Sequence, residues 1–327
     1  MDRVVTPMTK QFPFGERPLK LAMLGMVEGN GHPYSWSIII NGRYNAKALA
    51  QCPYPGITDY ITKQPASTLG IAGVEVTHVW TDDPADAVDV AAVAEIANVA
   101  DRAEDVIGHV DAVLVATDKG HEHVARCRPF VEAGIPVFVD KPLCTSSEDL
   151  AVFEDWIAEG KPIISSSAMR YAKEYTPYHR STHEFGELRH ISMTMAKSWE
   201  AYGIHALEAV YPIVGPGFVS VQNIGEGRSN IVHLRHRDGV DITLAVIADL
   251  YGGFGLMTLA GTKGSTQLRT LDTYHSFSTQ LVSFTNWLRT GQPPVPWSET
   301  RELMQLVIAG IESRKQGGAR ILLSEMN

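Results

Sequence analysis

Cysteine is scarce. Cys52, Cys127 and Cys144 are too few, odd in number and too widely spaced for a disulfide framework or a zinc knuckle, which fits a reducing compartment. No apolar run approaches the length of a membrane span, and Met1 to Lys20, alternating charged, polar and proline residues, has no signal-peptide core. Positive charge is also in deficit: 28 Lys and Arg face 37 Asp and Glu, a formal net charge of −9, which argues against the basic face that nucleic acid requires. A soluble, cytoplasmic protein with neither membrane nor nucleic acid as partner is expected. With 327 residues, 44% of them apolar, two domains of ordinary size are the default.

The chain is organised around Val137-Phe138-Val139-Asp140-Lys141-Pro142-Leu143. The apolar run behind Gly134 and Pro136 has the pattern of a buried parallel strand, and Pro142 ends it. Ligands of open parallel sheets bind beyond the carboxyl ends of the strands, so Lys141 is aimed at a cleft. Taken alone, Asp140 and Lys141 also read as ordinary polar residues at a strand end.

Upstream, Leu19 to Met26 is an apolar run that enters the turn Gly25-Met26-Val27-Glu28-Gly29-Asn30-Gly31-His32. Its glycines fall as Gly-x-x-x-Gly-x-Gly, not Gly-x-Gly-x-x-Gly, so a longer dinucleotide-binding turn and a plain glycine loop stay level. Pro33 is expected to stop early helix formation and Ser35 to cap a helix through Trp36 and Ile38 to Ile40. Residues 41–73, rich in Pro, Gly, Tyr and Gln, read as an irregular insertion that lines a site or an interface. Val74 to Trp80 reads as the second strand, with Asp82 beyond it either gripping ribose hydroxyls or capping the turn before Pro84. Residues 90–103 follow as one amphipathic helix, and Asp111 to Thr117 as a buried strand with Thr117 and Asp118 on the cleft side. A helix from about His121 to Ala133 leads back to the Lys141 strand, so strand and helix alternate as in a parallel sheet.

Beyond Lys141, Thr145 to Ser147 offer an N-cap, and Pro162 to Met169 reads as a strand leading into Arg170-Tyr171. From Leu188 the texture changes to five alternating strands, ending near Ala260, followed by closing helices at 277–288 and 298–313. The stretch Glu200 to Glu208 lies between the first two strands. His205 and Glu208, at i and i+3, share a helical face suited to acid-base work, to a metal, or to a purely structural link.

Asp140-Lys141-Pro142 and Gly203-x-His205 resemble the glucose-fructose oxidoreductase, inositol dehydrogenase and rhizopine-catabolism (Gfo/Idh/MocA) family. The resemblance implies an α/β fold: a Rossmann-type doubly wound parallel sheet in residues 1–144, then a mainly antiparallel α+β domain in residues 145–327 whose last helix returns to the first domain. It implies an NAD cofactor, with NADP possible, held by Gly25, Gly29, Gly31, His32, Asp82, Thr117, Asp118, His123, Asp140 and Lys141. It implies catalysis by Lys141 and His205 on a sugar, cyclitol or related polyol, contacted also by Arg170 and Tyr202, with no metal and a homodimer or homotetramer as the assembly. The sequence departs from the family at Asp118, where proline is common, and at Ala201, where an aspartate is expected. A ligand-binding or sensor protein of the same fold, or a metal-dependent sugar isomerase or lyase using His205 and Glu208, are the alternatives.

Overall fold

The computed structural model describes residues 12–326, so the reading of the leader lies outside the described residues as far as residue 11. Aliphatic runs set the strands of the first half: β1 (Leu19–Leu24), β2 (Val74–Trp80), β3 (Asn98–Val99), β4 (Ala112–Val115), β5 (Val137–Val139) and β6 (Ile163–Ser165). They form an all-parallel sheet in the order β3-β2-β1-β4-β5-β6. Every residue of β4 and β5 is buried, as in a sheet covered on both faces. The strand order reverses between β1 and β4, so the crevice beyond their carboxyl ends is the topological switch point, where ligands of such sheets bind.

The helices α1 (His32–Asn41), α2 (Ala46–Leu49), α3 (Pro55–Thr62), α4 (Pro84–Ala94), α5 (His123–Glu132) and α6 (Ser147–Ala158) connect these strands. Several differ from the sequence expectation for local reasons. α1 starts at His32, ahead of Ser35, because Pro33 falls in its first turn, where a missing N–H costs nothing. The 41–73 segment is not irregular: Asn45 caps α2 by accepting from the Lys47 and Ala48 amides, and Pro55 opens α3. The helix expected over 90–103 stops at Ala94, where Glu95 turns left-handed (φ 52°) and releases the chain into β3. β6 lies past residue 144, so the parallel sheet extends beyond the expected boundary.

The second unit contains β7 (Leu188–Ala196), α7 (Ile204–Val214), β8 (Phe218–Asn223), β9 (Ser229–His236), β10 (Asp241–Ile247), β11 (Leu256–Gly261), β12 (Ser265–Arg269), α8 (Thr273–Thr290), α9 (Trp297–Lys315) and β13 (Ile321–Leu322). Its sheet runs β12-β11-β7-β10-β9-β8-β13 and is antiparallel except for the parallel pair β7 and β10. β12 escapes a hydrophobicity reading because no residue of this edge strand is buried.

The helix that returns to the first unit is chiefly α8, not the last one. Leu281, Phe284, Trp287 and Leu288 of α8 join the core formed by Leu21, Ile38 and Phe138. α9 lies on β8 and reaches the first unit through α6. No helix among the described residues is long and apolar enough to cross a membrane, and the three cysteines are free thiols.

Candidate active site

β5 delivers Asp140 and Lys141 to the switch point, both almost fully buried (0% and 1% exposed). The Lys141 ammonium lies 3.5 Å from Asp118 and 4.5 Å from the ring centre of Tyr202. At 3.5 Å the Asp118 contact is an ion pair, and the buried Nζ has no hydrogen-bond acceptor among the described residues. Burial disfavours its charge, but Tyr202, Asp140 and Asp118 outweigh that and hold its pKa above the ordinary lysine value. Lys141 is therefore held as a cation.

Asp140 is the centre of a second cluster. Its Oδ1 accepts from the Lys141 amide at 2.7 Å, and its Oδ2 accepts from Asn30 Nδ2 at 3.0 Å and lies 2.6 Å from His32 Nδ1. Burial alone raises a carboxyl pKa; here His32 and Lys141 reverse the sign and lower it, so Asp140 is a carboxylate. His32 stacks on Trp36 at 4.5 Å and meets the edge of Phe277 in α8 at 5.1 Å. Asn30 also fixes the start of α1, its Oδ1 accepting from the His32 amide at 3.0 Å.

In the glycine turn, Gly25 has φ +82° and Gly29 φ +81°, left-handed conformations natural to glycine. A Cβ at Gly25 would stand 2.7 Å from the Thr117 methyl, so the turn and the end of β4 meet closely there. A Cβ at Gly31 would press on Tyr54 and Ile57. Asp82 accepts from the Met26 amide at 3.3 Å and pairs with Arg126 of α5 at 2.8 Å. Beside it Trp80, Leu24, Phe130 and Pro129 line an apolar pocket of about 220 Å³. His123 does not face this cleft. Its ring is fully buried, with Nδ1 3.0 Å from the Leu143 carbonyl and Nε2 3.1 Å from the Thr117 hydroxyl, so it pins the loops after β4 and β5 from behind.

The second unit contributes Tyr202, His205 and Lys197. The Tyr202 ring centre is 4.5 Å from the Lys141 ammonium and 4.4 Å from that of Lys197, and the ring touches His205 edge-on at 4.7 Å. His205 Nδ1 is 2.6 Å from the Ser167 hydroxyl. Burial first, then the charges of Lys141, His32 and Lys197, push its pKa well below the usual histidine range. Glu208 does not orient His205: it accepts from the Ser167 amide at 3.1 Å and pairs with Arg170. Arg170 in turn reaches Glu299 of α9 at 3.1 Å, so its guanidinium ties elements together instead of pointing at a substrate. No group of three or more His, Cys, Asp or Glu is gathered as for a metal among the described residues.

A cavity of about 900 Å³ opens over His32, Asn30 and Tyr202. Its walls come from Tyr60 of α3 and the flanking Tyr54 and Lys63, and from Lys173, Asp272 and Phe277. The 41–73 segment therefore lines the site. Asn30, Ser167, Lys197 and Arg126 escaped sequence reasoning; only Arg126, one helical turn from Glu122 on a helix beside the cleft, carried a local signal.

Residues 57–161 match the oxidoreductase family named GFO_IDH_MocA, described as having an NAD-binding Rossmann fold. The fold superposes on apo scyllo-inositol dehydrogenase from Lactobacillus casei with a TM-score of 0.71, covering 95% of this chain and 100% of that one at 14% identity. Over residues 57–161 the chain is thus similar to the Gfo/Idh/MocA family, and its overall fold is that of the inositol dehydrogenase structures. Another member of this fold, an oxidoreductase from Agrobacterium radiobacter in complex with NAD+, L-tartaric acid and magnesium, gives a TM-score of 0.72 at 15% identity over 94% of this chain and 99% of that one. Inositol 2-dehydrogenase 1 from Saccharopolyspora erythraea is 38% identical over 108 residues, 32% of either chain. The chain spans between 23% and 32% of the length of the curated relatives it matches.

The NAD-binding description of the matched family fits the residues present. Gly25 keeps a cradle that any Cβ would fill, and the orphaned ammonium of Lys141 lies buried at the same sheet edge. One element is altered. The first amides of α1 are used internally, His32 by Asn30 and Tyr34 by the Gly31 carbonyl, and Pro33 has none.

Proposed function

We propose that the protein is an NAD(P)-dependent oxidoreductase that transfers a hydride between nicotinamide and a hydroxyl-bearing carbon of a sugar, cyclitol or related polyol. The observation that carries this reading is the meeting of the Lys141 ammonium, which has no hydrogen-bond acceptor among the described residues, with Tyr202 and His205 at the carboxyl edge of the parallel sheet. The bound dinucleotide supplies the hydride acceptor or donor. Gly25, Gly29, Gly31 and Asp82 are the residues that hold it, Asp82 through the ribose hydroxyls once it leaves Arg126.

Lys141, kept cationic, donates a hydrogen bond to the reacting oxygen and stabilises negative charge on it. His205, kept neutral, orients the neighbouring hydroxyl through the nitrogen not engaged by Ser167. Aromatic walls interleaved with many polar and charged side chains suit a hydroxylated ring, which has apolar faces and a polar rim. A ligand-binding protein without turnover is the second reading, favoured by the internally satisfied amides of α1.

Titration with NAD and NADP, read by tryptophan fluorescence, separates the two, since Trp80 lines the pocket beside Asp82. Micromolar binding of either, followed by nicotinamide reduction with polyols, is the expected result. Binding of neither dinucleotide rejects the oxidoreductase.

A further inference from the structure

We infer that His32, oriented by Asp140, is the proton acceptor and donor of this site, an inference that rests on the oxidoreductase reading above. His32 opens α1 directly after the glycine turn, and its ring is held on three sides. Trp36 stacks on one face, Phe277 abuts it edge-on, and Nδ1 is 2.6 Å from the buried Asp140 carboxylate. The proton between them sits on Nδ1, because a carboxylate only accepts. That leaves Nε2 as the lone-pair nitrogen. It has no hydrogen-bond partner among the described residues and is not among their buried atoms, and His32 lines the cavity of about 900 Å³.

His205 lacks these attributes. Its ring is buried against the Ser167 hydroxyl, no carboxylate contacts it, and Lys141, His32 and Lys197 all oppose its protonation. An imidazolium at His32 is compensated instead by Asp140, whose two oxygens are already fixed by the Lys141 amide and Asn30. Such a buried, oriented carboxylate behind a histidine fixes the tautomer and stabilises the cation that forms.

In the oxidative direction the substrate O–H bond breaks and its proton goes to His32 Nε2. The carbinol C–H bond breaks with its electron pair leaving to oxidised nicotinamide, and the carbon–oxygen double bond forms. Lys141 holds the oxygen throughout. The ionisable groups facing this imidazole are Asp140 and Lys141 from the end of β5, Tyr60 from α3, and Tyr202 and His205 from the second unit.

The test uses full-length protein. In nitrogen-15 spectra of histidine-labelled protein, His32 is expected to carry its proton on Nδ1 at neutral pH, with Nε2 bare; the opposite tautomer overturns the proposal. His32→Gln should bind NAD within about threefold of wild type yet lose roughly 100-fold in kcat, the scale of acid-base catalysis, together with the acid limb of the pH profile. Added imidazole should restore part of the turnover of His32→Ala. If His32→Gln does not fold, Asp140→Asn and the tautomer measurement decide, the former being expected to slow turnover at least tenfold. Turnover of His32→Gln within threefold of wild type, with an unchanged profile, removes this proposal alone. Absence of wild-type turnover with every hydroxyl substrate removes the oxidoreductase reading and this proposal with it.

Discussion

The Tyr202 ring centre lies 4.5 Å from the Lys141 ammonium, a buried cation whose only ionic partner within 4 Å among the described residues is Asp118. A ring face attracts a cation without accepting a conventional hydrogen bond, so Tyr202 holds Lys141 in place while leaving its N–H groups for a ligand.

Lys141→Met should therefore preserve dinucleotide affinity while lowering turnover by about two orders of magnitude or more. Parallel fluorescence titration and steady-state assay check it. Unchanged turnover would remove Lys141 from the reaction.

Asp82 and Arg126 give a second prediction. Their pair is half-open to solvent, with side-chain exposures of 42% and 20%, so Arg126→Met should change the unfolding free energy by less than about 1 kcal/mol. Asp82→Ala should weaken NAD at least tenfold, since hydrogen bonds to a charged group are worth about 1.5 to 3 kcal/mol. Equal NAD affinity of wild type and Asp82→Ala would make Asp82 a partner of Arg126 and nothing more.

The legible part of the sequence was what short-range chemistry decides. The β5 run, Asp140-Lys141 at its end and the strand texture after Leu188 all follow from periodicity and position, and the structure has them there. What stayed hidden depends on pairs far apart in the chain. His205 and Glu208 share a face in sequence terms, yet Ser167 and Arg170, about 40 residues upstream, separate their roles. The His32 and Asp140 pair spans 108 residues, and no local pattern announces it. The 41–73 segment misled because its prolines and glycines read as irregular, whereas Pro55 starts a helix.

Stability should fall as the pH drops below the ordinary histidine range. Burial lowers the pKa of His123 and His205, and burial with the Arg170 charge lowers that of His179 to about 4. Below about pH 6.5 the unfolded chain binds these protons and the folded one does not, so each histidine removes up to about 1.4 kcal/mol per pH unit. Urea unfolding at pH 7.5, 6.0 and 5.0 measures the slope, and His179→Gln should flatten it. A stability that holds constant or rises toward pH 5 contradicts the assignment.

The Arg170 and Glu208 pair carries a prediction that separates architecture from catalysis. Glu208 is 4% exposed and Arg170 12%, and the same carboxylate satisfies the Ser167 amide. Glu208→Ala leaves Arg170 with Glu299 alone and the buried Ser167 N–H without an acceptor. Breaking such a buried pair costs about 3 to 5 kcal/mol, so the midpoint in urea should shift strongly. His205 would keep its Ser167 hydroxyl partner, and the pH profile of the folded variant should keep its shape. A profile that moves while stability holds would instead make Glu208 part of a proton relay with His205, the arrangement that their spacing on α7 first implied.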